Sequence, residues 1–564
     1  MSQYQNVSRD THSGFVKALH QHAKAVKQQS LYDLLCGEVA ESRANALQFA
    51  FHSVHVDFSK QRLTEGTLDL LTQWAGSCGL EQKRDALFSG EPVNASEKRA
   101  ALHMAARWPR EVMAPTGMAP TVALCQTQHE KLAALVGKLH RGEWRGVTGN
   151  AITDVIHIGV GGSDLGPNLA SEVLGDTLGH RYVKAHYVST MDGSQLLPLL
   201  QTLNPATTLL VLASKSFSTA DTQFNVRTAL AWLADALAVN AEILCRHQLL
   251  GVSARPDKMA EFGIPEEHQL VFPEAVGGRF SVWSAIGVTV AMELGVEAFN
   301  QLLAGAHAVD RHFMDAPLTE NLPVLLGLVG AWNTQFLEIP SHLVLPYDGR
   351  LKSLSPYLQQ LEMESNGKST TPDGQAVAHV TCPIVWGDVG PNAQHAFYQL
   401  LHQGSHTVSA DFVAVARREA SVPEYVARCF KDQETLTLAN CLAQSQLFAL
   451  GDAAITDDLR SHTPLGYRGN QPNTVILLET LDAWNLGALL ALYEHKVFVQ
   501  SVLWGINPFD QPGVELGKKL ATRLYHTLSQ APSATDSADS GLVNDAGTRQ
   551  LLNKVMQWRV GAHR

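Results

Sequence analysis

From residue 151 onward, short runs of consecutive apolar residues, each closed by a glycine- or serine-rich stretch, alternate with longer amphipathic stretches. Positions 153–158, 186–188, 208–213 and 249–253 have the length and composition of strands buried on both faces, where strict alternation of apolar and polar residues is not required. Helical spacing fills the gaps at 165–174 and 221–237. A second series begins near Leu322, with strands predicted at 343–347, 383–386, 410–415 and 474–478. Strand, loop and helix repeated in this order predict an α/β fold of doubly wound, mostly parallel sheets, with ligands beyond the strands' carboxyl ends.

The first hundred residues read differently. Helical spacing is found at 30–35, 42–49 and 63–74, a short alternating strand at 54–58, and a further helix is predicted over 97–107 with Ser96 as its cap. The longest apolar run, 486–503, carries Glu494, His495 and Lys496 in its middle, which predicts a buried helix and not a membrane span. The Ser/Ala/Asp-rich stretch 529–540 predicts a loop before a last helix over 547–559.

Two loops at strand ends carry the first chemistry. After 208–213 come Ser214, Lys215, Ser216, Phe217, Ser218 and Thr219, opening into a helix. Free backbone N–H groups, the positive end of a helix dipole, hydroxyls and one ammonium suit an anion, although the same residues alone would equally make a Ser/Thr-rich turn with an N-cap, and the balance is tipped by a second loop of this kind. After 153–158 come Gly159, Val160, Gly161, Gly162 and Ser163, whose glycines let the backbone approach an anion closely. A dinucleotide fingerprint starting at Gly159 would need glycine at 164, where Asp164 stands, so one phosphorylated ligand is the better reading.

Other segments are undecided by spacing alone. Arg279 follows Gly277 and Gly278 and can reach a site or simply lie on the surface. Glu362 and Glu364 suggest a turn with one acid pointing inward, although Glu364 taken by itself reads as a solvated charge. His395 is expected in the first turn of a helix starting at Ala393, where the helix dipole favours neutral imidazole. It stands seven residues from His402, which does not suit metal chelation from one helix, so acid–base chemistry is preferred. Gln511 and Lys518 lie in a Pro/Gly-punctuated loop entering a helix.

Charge and cysteine content narrow the function classes. With 54 acidic against 43 basic residues the net charge is −11, which argues against nucleic acid as a main partner and requires local Lys and Arg to meet a small anion. The seven cysteines are scattered, odd in number and without C-x-x-C spacing, as expected of reduced thiols in the cytoplasm, with no disulfide or zinc cluster. The N-terminal residues lack an apolar core, so no secretory signal is expected.

The segments 158–167, 214–222, 277–288, 362–369, 394–404 and 486–520 closely resemble the glucose-6-phosphate isomerase family. The resemblance implies two sugar-isomerase-type domains, a homodimer, no metal or organic cofactor, no membrane, and interconversion of glucose 6-phosphate and fructose 6-phosphate in glycolysis and gluconeogenesis. With the patterning it predicts an N-terminal helical segment over 1–115 packing on the large domain, sugar-isomerase domains over 116–290 and 291–520, and a C-terminal arm over 521–564. Position by position it implies that Gly162, Ser163, Ser214, Lys215, Ser216, Thr219 and Gln360 hold the substrate and its phosphate. It further implies Glu364 as the base between C1 and C2, His395 and Lys518 in ring opening, and Arg279 and Gln511 facing the enediolate, with His395 supplied by the partner subunit. Ala220, Leu361 and the run from Pro391 to Ala393 depart from the family pattern and bear on positioning. A sugar-phosphate-binding regulator is the rival reading; it would keep the 214–219 loop but have no need of Glu364, His395 and Lys518 together.

Overall fold

A computed structural model describes residues 3–418, 422–460, 466–529 and 545–561. The chain up to Phe509 forms one compact unit and Asp510–Arg564 a second. The first unit contains β1 (Gln48–Phe51), β2 (Val54–Asp57), β3 (Asp154–Ile158), β4 (Lys184–Val188), β5 (Thr208–Ala213), β6 (Leu249–Ser253), β7 (Gln269–Val271), β8 (Ser341–Pro346), β9 (Ile384–Gly387), β10 (Ser409–Val415) and β11 (Asn473–Leu478).

Two sheets result. The five-stranded sheet, ordered β4-β3-β5-β6-β7, is parallel throughout. The six-stranded sheet, ordered β1-β2-β11-β10-β8-β9, is parallel from β11 to β9 and antiparallel where the β1–β2 hairpin joins it. Every residue of β5 is buried, and the period of two sends them alternately to two cores. Leu209, Val211 and Ala213 join the large central core, while Leu210 and Leu212 face the helix Ala220–Leu237 and its neighbours. That is why the run reads as continuously apolar.

The chain moves from β3 to β4 on one side and then returns to β5 on the other, so the switch point of this sheet lies between β3 and β5. Crevices at such points bind ligands in open α/β sheets. Both anion loops leave these two strands.

The helix Ala483–Trp504 is buried almost all round, with apolar residues on every face and Glu494, His495 and Lys496 buried among them. It packs against the helix Val296–Asp315 at backbone distance: a Cβ on Gly487 would meet the Leu302 carbonyl oxygen at 2.0 Å.

Three local expectations are corrected. Residues 97–107 are not a helix: Asn94 and Arg99 exchange backbone hydrogen bonds, the Leu102 amide donates to the Ala275 carbonyl, and only His103–Arg107 coils, as a 3₁₀ turn. Tertiary hydrogen bonds there outweigh the helix propensity of Glu97, Lys98 and Arg99. The helix expected over 42–49 ends at Ala46, and Phe49 belongs to β1. A helix spanning Gln3–Val26 escaped notice because its apolar stripe is thin, although Leu19, Ala23 and Val26 are buried along it.

The second unit holds a 3₁₀ turn at Pro512–Val514 and the helices Glu515–Ser529 and Ala546–Gly561. The stretch 530–540, expected as a loop, lies outside the described residues.

Candidate active site

β5 pairs in parallel with β3, Ile158 opposite Leu212, so the loops that follow them start side by side. In the second loop, Thr219 is the residue before the helix Ala220–Leu237 and has extended backbone angles. Its hydroxyl does not cap the helix; it lies 3.3 Å from the Ser214 hydroxyl. The first-turn amides are therefore not capped by this side chain. The loop bends through Phe217, whose φ of 53° is unusual for an aromatic residue. Burial of its ring, edge-on to Phe262 at 5.9 Å, holds that conformation.

Lys215 reaches across this loop and donates to the Glu274 and Val276 carbonyl oxygens at 2.7 and 2.8 Å. Burial, with help from the Arg99 cation, brings its ammonium pKa down to about 8. Ser216 is exposed; its hydroxyl accepts from Ser218 at 3.1 Å, and its carbonyl accepts from Lys258 at 3.0 Å.

In the first loop, Gly161–Ser163 forms one 3₁₀ turn ahead of the helix Leu165–Leu178, and Ser163 is buried. His157 stands beneath, with Nδ1 2.8 Å from the Thr289 hydroxyl and Nε2 2.7 Å from the Ser163 carbonyl oxygen. Burial lowers its pKa to about 4, so it is a neutral strut. Asp164, the residue that spoils a dinucleotide fingerprint, is also buried, which pushes its carboxyl up to about 6.

The backbone of Gly162 lies directly on that of Gly278 and Arg279: a Cβ there would stand 2.0 Å from the Gly278 oxygen and 2.4 Å from the Arg279 nitrogen. A Cβ on Gly161 would meet the Gln360 amide nitrogen at 2.8 Å. Two glycines thus let three segments meet.

Arg279 is 4% exposed, which overturns the surface reading. Its Nε donates to the Ser365 hydroxyl at 2.6 Å, another guanidinium nitrogen donates to the Pro508 carbonyl, and Nη1 stands 3.6 Å from Glu364 Oε2. Behind it, Trp283 Nε1 donates to Glu494 Oε1 at 2.7 Å, and the Arg107 guanidinium lies 4.6 Å from the Trp283 ring centre. Arg107 is shared by Asp310 and Glu494, all fully buried. Burial pushes the Glu494 carboxyl up to about 7, against the opposing pull of the Arg107 guanidinium and with a further push from the Asp310 carboxylate.

Gln360 and Glu364 come from a π-helical turn, Gln359–Glu364, that follows the helix Leu354–Leu358. Such turns are rare and concentrate at functional sites. Residues two apart on a helical turn face different ways. Here Glu362 goes into the core at 1% exposed, and Glu364, its side chain 23% exposed, faces Arg279. One acid of the pair does point inward, as the spacing suggested, and Glu364 is not the freely solvated charge that it reads as by itself. Glu364 Oε2 is itself buried and accepts no hydrogen bond among the described residues.

The structure does not gather every expected residue. His395 is exposed, and among the described residues no hydrogen bond or ion pair links it to Glu364 or Arg279. Its helix begins at Gly390, earlier than expected, so His395 lies in the last turn and the N-terminal dipole argument does not apply to it. Pro391, suited to a first turn, sets that start. His402 is buried with Nε2 2.9 Å from Gln444 Oε1. Gln511 and Lys518 belong to the second unit: Gln511 precedes the Pro512–Val514 turn, and Lys518 is exposed on Glu515–Ser529 with Nζ 2.9 Å from Glu515 Oε1. Sequence reading passed over Ser365, His157 and the Gly161–Gln360 contact. Only Ser365, next to Glu364, carried a signal.

The assembled groups are two glycine- and hydroxyl-bearing loops at neighbouring strand ends, a buried guanidinium and a carboxylate beside it. A family model described as phosphoglucose isomerase matches residues 57–543. A glucose-6-phosphate isomerase 2 of Chromohalobacter salexigens is 48% identical over 563 residues, covering 97% of this chain and 98% of that protein. The glucose-6-phosphate isomerase of Acinetobacter venetianus is 51% identical over 498 residues, 86% of this chain and 89% of that one. A solved structure of a glucose-6-phosphate isomerase from Chlamydia trachomatis matches with a TM-score of 0.81 at 27% identity, over 96% of this chain and 98% of that chain. Similarity of this strength along nearly the whole length, joined to the geometry of the two loops and the acid–guanidinium pair, means that the chain belongs to the phosphoglucose isomerase family.

Proposed function

We propose that the chain interconverts glucose 6-phosphate and fructose 6-phosphate through a 1,2-enediolate, with Glu364 carrying the proton between C1 and C2. The observation that carries this reading is the Glu364 carboxylate 3.6 Å from the buried Arg279 guanidinium, one oxygen accepting no hydrogen bond among the described residues. A proton α to a carbonyl is weakly acidic, so its removal needs a placed base and fixed positive charge where the oxyanion grows. A general base contributes ~10²–10⁴-fold, and one strong donor to the oxyanion about 3 kcal/mol. Glu364 supplies the first and Arg279 the second, and Arg279 is held in place before substrate arrives by Ser365 and Pro508.

The 214–219 loop, Ser163 and the Gly162 backbone take the phosphate, and Gln360 borders the sugar. Lys215 keeps its ammonium beside that loop, and the Ala220–Leu237 helix directs its positive end there. His395 and Lys518 assist ring opening, and Gln511 faces the enediolate; the family resemblance supports these roles. A homodimer in which His395 enters the partner's site accounts for its exposure away from Glu364 and Arg279. All seven cysteines are free thiols, which suits a cytoplasmic setting.

Turnover of fructose 6-phosphate by purified protein, with and without EDTA, tests the reaction; activity insensitive to chelator is expected. Glu364→Gln is expected to retain substrate binding and lose ~10²–10⁴ of turnover. Wild-type turnover in that variant refutes the assignment of the base. For the shared site, Glu364→Gln and His395→Ala chains are unfolded together and refolded. Mixed dimers then carry one intact site and regain activity neither parent has; no regain excludes the exchange of His395.

A further inference from the structure

Glu364 sits at the end of a single π-helical turn, and a turn of that kind persists only when its surroundings hold it. Its other acid, Glu362, points the opposite way into the core and ion-pairs with Lys496 of the helix Ala483–Trp504, Nζ to Oε2 at 2.7 Å. The two side chains are 2% and 3% exposed. Glu362 Oε1 has no hydrogen-bond partner among the described residues, so Lys496 is what fixes this carboxylate. Burial works against charge on Lys496, but the Glu362 and Asp411 carboxylates outweigh it and raise its pKa. Asp411 is anchored in β10, where His342 Nε2 lies 3.0 Å and the Tyr493 hydroxyl 2.9 Å from its Oδ2. The Asp411 carboxylate in the six-stranded sheet thus favours the charged ammonium, while Glu362 is its ion-pair partner.

We propose that the buried Lys496–Glu362 pair is a positioning device for Glu364, setting the register of the π-turn so that the Glu364 carboxylate, and not its neighbour, faces Arg279. This rests on the reading of Glu364 as the base. With Glu362 pinned on the core side, the residue two positions on must emerge on the site side, where Ser365 and Arg279 receive it. Lys368 closes the end of the turn by donating to the Glu364 carbonyl at 3.2 Å and to that of Ser365. Without the pair, the turn can relax toward the ordinary helical register, which swings Glu364 away from Arg279.

The test uses the full chain with both charges removed, Lys496→Met with Glu362→Gln, because either change alone strands a buried charge while a neutral pair of similar volume is tolerated. The expected result is a ~10²-fold fall in kcat, an unchanged KM for fructose 6-phosphate and a thermal midpoint near that of wild type. Adding the pair substitutions to Glu364→Gln is expected to cost no further turnover, since the pair acts through Glu364. Wild-type kcat in the paired variant overturns the proposal. So does a rise in KM at constant kcat, or a loss that multiplies with that of Glu364→Gln. Wild-type activity in Glu364→Gln alone removes the base reading and this one with it, by a result separate from any measured on the pair.

Discussion

Replacing Gly162 by alanine puts the meeting of the Gly161–Ser163 turn and the arginine segment to the sharpest test. The added Cβ would lie 2.0 Å from the Gly278 carbonyl oxygen, whereas carbon-to-oxygen contacts begin at about 3.3 Å. The two backbones must therefore part by roughly 1.3 Å. The Gly161–Ser163 turn cannot yield freely, because His157 holds the Ser163 carbonyl from below and Gln360 lies against Gly161. The displacement passes to Arg279, the next residue on the other side. A misplacement of about 1 Å at a reacting group costs ~10²-fold, or about 2.7 kcal/mol of barrier, and overpacking removes ~1–3 kcal/mol of stability besides. The assay is kcat at saturating fructose 6-phosphate, with a urea titration of each variant. Gly76→Ala serves as comparator: it lies in the helix Glu65–Ser77, and its Cβ meets nothing within 4 Å. That variant is expected to keep wild-type turnover and gain ~0.4–1 kcal/mol. Wild-type kcat in Gly162→Ala would refute the reasoning.

Lys215, with its pKa at about 8, loses its charge just above neutrality, so kcat/KM is expected to fall above about pH 8, and Lys215→Met to raise KM and abolish that limb. The sign for stability is opposite: between about 8 and the ordinary 10.5 the folded state binds fewer protons than the unfolded, so stability rises through that window, and pH-dependent urea unfolding of wild type and Lys215→Met reads the difference. Arg107→Met leaves Asp310 and Glu494 buried without their cation and is expected to cost ~3–5 kcal/mol; an unchanged urea midpoint would mean the cluster is not the anchor it looks to be.

The strands at 208–213 and 249–253 coincide with β5 and β6 because parallel strands buried on both faces are continuous apolar runs, a signal that needs no tertiary information. The loops that follow β3 and β5 were placed at strand ends for the same reason, and there the structure puts them. What the sequence concealed was non-local or irregular. The π-turn has no periodicity that a search at 3.6 residues detects, so Glu364 read as a solvated charge until its turn was in view. The burial of Arg279 depends on Ser365 and Pro508, far away along the chain. Helix formers at 97–99 were overruled by hydrogen bonds from Asn94 and by the tie from Leu102 to Ala275. For His395 the start of the helix was misjudged because Gly390 and Pro391, read as loop, in fact open it.

Four successive residues of the helix Ala483–Trp504 reach three parts of the molecule: Tyr493 to Asp411, Glu494 and His495 to the Arg107–Asp310 pair, with Glu494 also meeting Trp283, and Lys496 to Glu362. A point substitution there disturbs one of these three attachments. Deleting a single residue upstream within the helix would turn all four by about 100° at once, unseating the supports of both Arg279 and Glu364. Evolution can therefore edit the composition of this segment but not its length. Insertions and deletions should be absent from 483–504 across relatives that keep the activity, and any that carries one should have rebuilt its site.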